Sequence, residues 1–268
     1  MDATPRAAEP VLSELSDGVL EITLNRPEKL NAFDEAMHVG LRAAFDRANT
    51  DKDVHAVLLT GAGRGFCSGQ DLGDRDPRTW DAPPNLGRTL DTYYNPLIRR
   101  IRGLDKPVIC AVNGVAAGAG ANLALACDIV LAARSARFIE AFAKIGLVPD
   151  TGGTWLLPHL VGEARAKALA LTGEPVGADQ AEAWGMIWKV VADDALMDEA
   201  RALTRKMAGG PTLGLGLTKR LVQGAAARTL DAQLDAERDA QAKAGRSADY
   251  AEGVTAFLEK RKSVFRGK

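Results

Sequence analysis

The chain predicts an α/β fold, a parallel-type sheet buried by helices, and three observations carry that prediction. Short apolar runs closing in a turn recur at "VHAVLLTG", "PVICAVNG" and "CDIVLAA", and helix-like stretches separate them. A parallel strand covered on both faces reads as a continuous apolar run, and strand–helix alternation builds such a sheet. At 268 residues, one main core with an appended segment is the economical arrangement.

The elements follow in order. "VLSELSDGVLEITL" holds two alternating runs parted by Ser16-Asp17-Gly18, which is a β-hairpin signal. Phe33, Met37, Leu41, Ala44 and Phe45 then share one helical face. After the first apolar run comes the glycine-rich "GAGRGFCSGQDLG", followed by "DRDPRTWDAPPNLG", whose prolines and charges make it a loop: either a flap beside a site or a plain surface loop. Beyond Leu160 only "MIWKVV" (186–191) looks extended. From Asp194 the pattern is helical to the end, broken at Gly209-Gly210-Pro211. This divides the chain into a core over 1–195 and a helical appendage over 196–268.

Composition narrows the function classes. Lys plus Arg (34) balances Asp plus Glu (35), so no global field favours nucleic acid or a membrane surface. "MDATPRAAEP" lacks the basic start and apolar stretch of a secretory signal, and no apolar run approaches the roughly 20 residues of a membrane span. Cys67, Cys110 and Cys127 form no CxxC pair, an odd count that suits a reducing cytosol.

Several motifs fail on spacing. "GFCSG" misses the G-x-S-x-G elbow by one position, which argues against a serine hydrolase built on Ser68. His38, His55 and His159 form no ligand pair, so a metal site is not expected. Gly118-x-Gly120 lacks the third glycine of a dinucleotide fingerprint.

What survives is a pair of strand-end turns. The bend at "GAGRGFCSGQDL" and the small residues at Gly118-Ala119 each offer a backbone N–H, and together they could hold a carbonyl oxygen as it gains charge. "GLVPDTGGTW" adds a lone carboxylate, Asp150, in an otherwise uncharged run. Spacing alone leaves two roles for it: a cap on the amides of Gly152 and Gly153, or an acid/base. Apolar Val148, Trp155 and Phe142 are expected to desolvate it and raise its pKa. The tail "FLEKRKSVFRGK" is either a solvated basic helix end or an anion site.

Four motifs, "LNRPEKLNAF", "GRGFCSGQDL", "AVNGVAAGAGANLALACDI" and "GLVPDTGGTWLLPHLVG", resemble in order and spacing the enoyl-CoA hydratase/isomerase (crotonase) superfamily. The resemblance runs from about residue 11 to "FLEKRK". It implies a ββα spiral core with a C-terminal helical trimerisation segment, assembled as trimers or as hexamers. It implies an acyl-CoA substrate, with no cofactor beyond the CoA that the substrate carries, and a cytoplasmic enzyme. By resemblance the thioester oxygen is held by the N–H groups of Gln70 and Ala119. Ser68, Asp71 and Leu72 line the CoA segment, with Ser68 near the adenine, and Phe257 and Lys260 meet CoA from a neighbouring subunit. Arg26 and Lys29 are further candidates for that contact.

The departures point to the chemistry. The two positions implied to carry the glutamates of a hydratase are Asn122 and Phe142 here. Glu140 stands out of register and reads as a peripheral acid. Asp150 then becomes the single acid/base of an isomerase, and "PDTGGTWLLP", "YNPLIRRI" and "GRSADYAEGVTAFLEKR" imply one that acts on a ring-1,2-epoxyphenylacetyl-CoA to give an oxepin-CoA. A Δ3,Δ2-enoyl-CoA isomerase, an enoyl-CoA hydratase and a non-catalytic acyl-CoA scaffold are the alternatives.

Overall fold

The computed structural model describes residues 9–267. The stretch 1–8, which carries most of the leader reading, and Lys268 of the basic tail lie outside them.

β1 (Val11–Ser16) and β2 (Val19–Leu24) form the expected antiparallel hairpin. α1 (Glu35–Thr50) starts where the Asp34 carboxylate accepts the Met37 N–H, and it buries Met37, Leu41, Ala44 and Phe45 as their spacing predicts, while Phe33, expected on the same face, precedes the helix and bridges to Gln70. It delivers the chain to β3 (Ala56–Gly61), parallel to β2. β4 (Gly65–Cys67) follows at once, then α2 (Leu86–Thr89) and α3 (Asn95–Gly103), joined by a wide π turn over Leu90–Tyr94. The pattern repeats with β5 (Val108–Val112), β6 (Val115–Ala117) and α4 (Ala119–Leu125). It repeats again with β7 (Ile129–Ala133) and β8 (Arg137–Ile139), followed by α5 (Gly153–Val161) and α6 (Glu163–Thr172). β9 (Val176–Gly177), α7 (Ala178–Ala183) and β10 (Lys189–Val191) complete the core.

The long strands assemble in the order β1-β2-β3-β5-β7-β10 and the short ones in the order β4-β6-β8-β9. Each winding thus adds one strand to each of two sheets, a ββα spiral. Apart from the β1/β2 and β8/β9 pairs, all neighbours are parallel. The second sheet is what the apolar runs did not announce, because three-residue strands are too short to show a period. "MIWKVV" is strand only from Lys189; Met186 and Ile187 are buried in the turn before it.

α8 (Leu196–Ala208), α9 (Thr212–Ala225), α10 (Leu230–Ala244) and α11 (Ala248–Leu258) form the helical C-terminal part. α8 lies on β3, β5 and β7 and buries Leu196, Ala200, Thr204 and Ala208, so the cover of the large sheet extends beyond residue 195.

Candidate active site

β4 and β6 are parallel neighbours, Cys67 standing opposite Ala116, so their carboxyl ends open side by side. Ligands of open α/β sheets bind beyond such ends. Gly69, just after β4, has φ +89°, and a Cβ there would stand 2.9 Å from the Ala117 carbonyl oxygen and 3.7 Å from the Ala119 nitrogen. Only glycine lets the two turns come this close.

Phe33 holds the first turn from behind. Its N–H donates to the Gly69 carbonyl at 2.7 Å, and its carbonyl accepts the Asp71 N–H at 2.9 Å. Alternation along this short parallel bridge turns the Gln70 N–H the other way. Ala119 opens α4, where a helix leaves its first N–H without an internal acceptor. Among the described residues neither amide donates to a protein acceptor. Both line a cavity of about 780 Å³, and paired free N–H groups suit a carbonyl oxygen that becomes an oxyanion.

β8 adjoins β6 on its far side, and the Gly118 N–H donates to the Ile139 carbonyl at 2.8 Å, so residues 140–142 arrive beside the same turns. Asp150 lines the cavity from the turn that starts α5. Its Oδ1 accepts the Thr151 hydroxyl at 2.7 Å, and its main-chain carbonyl accepts the Gly153 N–H at 2.9 Å. The carboxylate does not cap the Gly152 and Gly153 amides. Burial pushes the Asp150 carboxyl above the usual carboxylate range, against the pull of the Thr151 hydroxyl. Thr151 itself is buried at φ +54°, a backbone that costs a β-branched residue roughly 1–3 kcal/mol.

Of the three apolar neighbours expected around Asp150, only Phe142 lines the cavity. Val148 is exposed, and Trp155 turns away to stack on His159 at 4.2 Å with the Arg102 guanidinium over its ring. Leu147 takes their place. The proline-rich segment forms a wall of the cavity through Arg75, Trp80 and Leu86 rather than a detached surface loop.

The other expected site residues divide. Ser68 and Leu72 line the cavity. Asp71 does not: its carboxylate accepts the Gly73 N–H at 3.0 Å and pairs with Arg26 at 3.1 Å. Arg26 is consumed in the same way, reaching Asp34 at 3.2 Å and donating to the Ala32 carbonyl at 2.7 Å. Lys29 contributes only its carbonyl, which accepts the Ser68 hydroxyl at 3.3 Å, and its side chain is outside the lining. Asn122 is fully buried behind the cavity wall, because its helix turns it toward α5. Phe257 and Lys260 lie outside the lining, and the Phe257 ring is exposed.

Two residues take places at the site that the sequence reading did not give them. Tyr94, at the end of the π turn, lines the cavity and donates its hydroxyl to Gln70 Oε1 at 2.8 Å, while Gln70 Nε2 donates to the Phe33 carbonyl at 3.0 Å. Glu140 is not peripheral but 2% exposed, with Asn122 Nδ2 donating to its Oε2 at 3.4 Å. The histidines stay apart: His38 stacks on Phe33 and burial pushes its pKa down to about 4, while His55 contacts the Ala208 carbonyl. Among the described residues no three His, Cys, Asp or Glu gather as a metal site.

Residues 14–268 match the family model described as enoyl-CoA hydratase/isomerase. The chain belongs to the enoyl-CoA hydratase/isomerase family. The chain is 57% identical over 258 residues to the 1,2-epoxyphenylacetyl-CoA isomerase of Escherichia coli, covering 96% of this chain and 98% of the relative. It is 36% identical over 250 residues to the 2,3-dehydroadipyl-CoA hydratase of the same species, covering 93% and 96%. The crystal structure of an enoyl-CoA hydratase from Bacillus anthracis has a TM-score of 0.91 to it at 30% identity, covering 97% of this chain and all of that one.

Proposed function

We propose that this family member isomerises a CoA thioester, with Asp150 as its single acid/base and the Gln70 and Ala119 N–H groups as its oxyanion hole. The substrate is a ring-1,2-epoxyphenylacetyl-CoA and the product an oxepin-CoA. One observation carries the reading: among the described residues Asp150 is the one desolvated carboxylate that shares a cavity with two unpartnered amides, the other acid of the lining, Asp76, being held low by Arg78, while Asn122 and Phe142 supply no carboxylate.

With the thioester oxygen between the two amides, Asp150 takes a proton from the α-carbon and the electron pair moves onto the carbonyl. Each amide lowers that barrier by about 2.7–4 kcal/mol. The ring bond spanned by the epoxide oxygen then opens, the ring expands to seven members, and the acid form of Asp150 returns the proton to a carbon farther along the conjugated chain. Nothing is gained or lost overall, so the CoA carried by the substrate is the only cofactor group required. The 57% identity to an enzyme named for this substrate supports the choice.

The assembly is a trimer or a dimer of trimers, supported by apolar Val222, Leu230, Leu234, Val254 and Leu258 standing exposed on α9–α11. In it Phe257 and Lys260 reach a neighbour's CoA. Three free, buried thiols, Cys67, Cys110 and Cys127, suit a cytoplasmic location. Among the described residues no helix is long and apolar enough to cross a membrane.

Turnover of the epoxide, of a 3-enoyl-CoA and of crotonyl-CoA by wild type and Asp150→Asn tests the assignment. The epoxide should be the preferred substrate, and the variant should be slower by roughly 10²–10⁴-fold. Preference for the 3-enoyl-CoA would move the enzyme to double-bond isomerisation, and efficient hydration of crotonyl-CoA would overturn the single-carboxylate reading. No turnover of any of them would leave a binding scaffold.

A further inference from the structure

Asn122 sits between two acids. Its Nδ2 donates to the Asp150 main-chain carbonyl at 2.9 Å and to Glu140 Oε2 at 3.4 Å. The carbonyl accepts only, so the amide cannot be turned over without setting oxygen against oxygen. In that orientation two buried atoms have no partner among the described residues, Asn122 Oδ1 and Glu140 Oε1. They belong to the same two touching side chains, and leaving each unpaired costs roughly 1–3 kcal/mol. One proton on Glu140 gives both a partner: a carboxylic acid and a primary amide close two bonds, N–H to C=O and O–H to C=O.

We propose that Glu140 is a positioning residue that, as the neutral acid, pairs with the Asn122 amide and through it fixes the main chain of Asp150. This rests on Asp150 being the base. The surroundings agree: the Asp150 field acts on Glu140 in the same direction as burial, while Lys144 of the following 3-10 turn sends its side chain past Gly173 and lines the cavity. Burial pushes Glu140 up to about 7, against the Asn122 bond and with the Asp150 field. Above that pH the carboxylate can no longer donate to Asn122 Oδ1, and the tie to the Asp150 turn loosens. A glutamine at 140 would offer one N–H and one C=O in the same places and would not titrate.

The test follows kcat and KM against pH for the full chain with Glu140→Gln and Glu140→Ala, with infrared detection of a buried protonated carboxyl. E140A should lose roughly 100-fold in kcat with little change in KM, the penalty of a misplaced base. E140Q should recover most of that loss and lack the fall in kcat that wild type shows above about pH 7. The protonated-carboxyl band should be present in wild type below that pH and absent from E140Q. E140Q as slow as E140A, an alkaline fall shared by wild type and E140Q, or no such band in wild type would overturn the proposal. The band needs no turnover and should persist in Asp150→Asn, so failure of the Asp150 assignment is read separately.

Discussion

The Asn122 side chain donates to the main-chain carbonyl of Asp150 at 2.9 Å, which ties α4 to the turn that starts α5. Since α4 begins at Ala119, the amide proposed to receive the substrate oxygen and the acid proposed to move its proton are set by one short helix. Productive geometry depends on such ties, because a displacement near 1 Å can cost about 100-fold in rate.

Removing the tie should therefore act on chemistry before binding. Asn122→Ala should lower kcat more than it changes KM and cost about 1–3 kcal/mol of stability by leaving Glu140 without a donor. Gly153→Ala should act in the same direction, since its Cβ would stand 2.3 Å from Asn122 Nδ2. Steady-state kinetics beside urea denaturation separates the two effects, and an unchanged kcat in both variants would contradict the tie.

Ala119→Pro removes one of the two proposed oxyanion donors. Proline is well tolerated at the first position of a helix, where its missing N–H breaks no helical bond. A fall of roughly 10²–10³-fold in kcat, with an unchanged melting temperature, is expected. Full activity in the folded variant would exclude the Ala119 amide from the hole.

Glu140 gives a pH-dependent stability of definite sign. Folding raises its pKa from 4.5 to about 7, so the contribution is fully present below about pH 4.5 and is lost as the pH climbs through about 7. The melting temperature of wild type minus that of E140Q should fall across this window. A flat difference would show that Glu140 is not buried as an acid.

Arg26 distinguishes scaffold from ligand contact. It ties Asp34, Asp71 and the Ala32 carbonyl together, and although burial raises Asp71, the Gly73 N–H and Arg26 hold its carboxyl below the usual range. Arg26→Ala should cost about 1–3 kcal/mol in denaturation while KM for the thioester stays near wild type. A raised KM at unchanged stability would return Arg26 to the CoA contact that the family resemblance implies.

Much of this molecule was legible before its fold was known, and the limits have physical causes. The hairpin, the face of α1 and the strands β3, β5 and β7 follow from periodicity, because each is long enough to repeat a pattern. β4, β6 and β8 have three residues each and show no period, yet their pairing is what brings Gln70, Ala119 and Phe142 to one cavity. Sequence also marks a carboxylate without its burial. Asp150 stands out among uncharged neighbours, whereas Glu140 reads as peripheral although it is the more enclosed of the two. Its one signal was a lone acid in the apolar run "FIEAFA". Arg26 erred the other way: a cation near a glycine-rich turn suggests an anion, and only the fold shows Asp34 and Asp71 already taking it.

The central claim is that Asp150 moves the α-proton of a thioester held by the Gln70 and Ala119 amides. Deuterium incorporation at the α-carbon of phenylacetyl-CoA, which has no epoxide to rearrange, measures that step alone. Wild type should exchange the α-protons in D₂O, and Asp150→Asn, folded and still binding the thioester, should not exchange above the uncatalysed rate. Equal exchange by the two proteins would contradict the account.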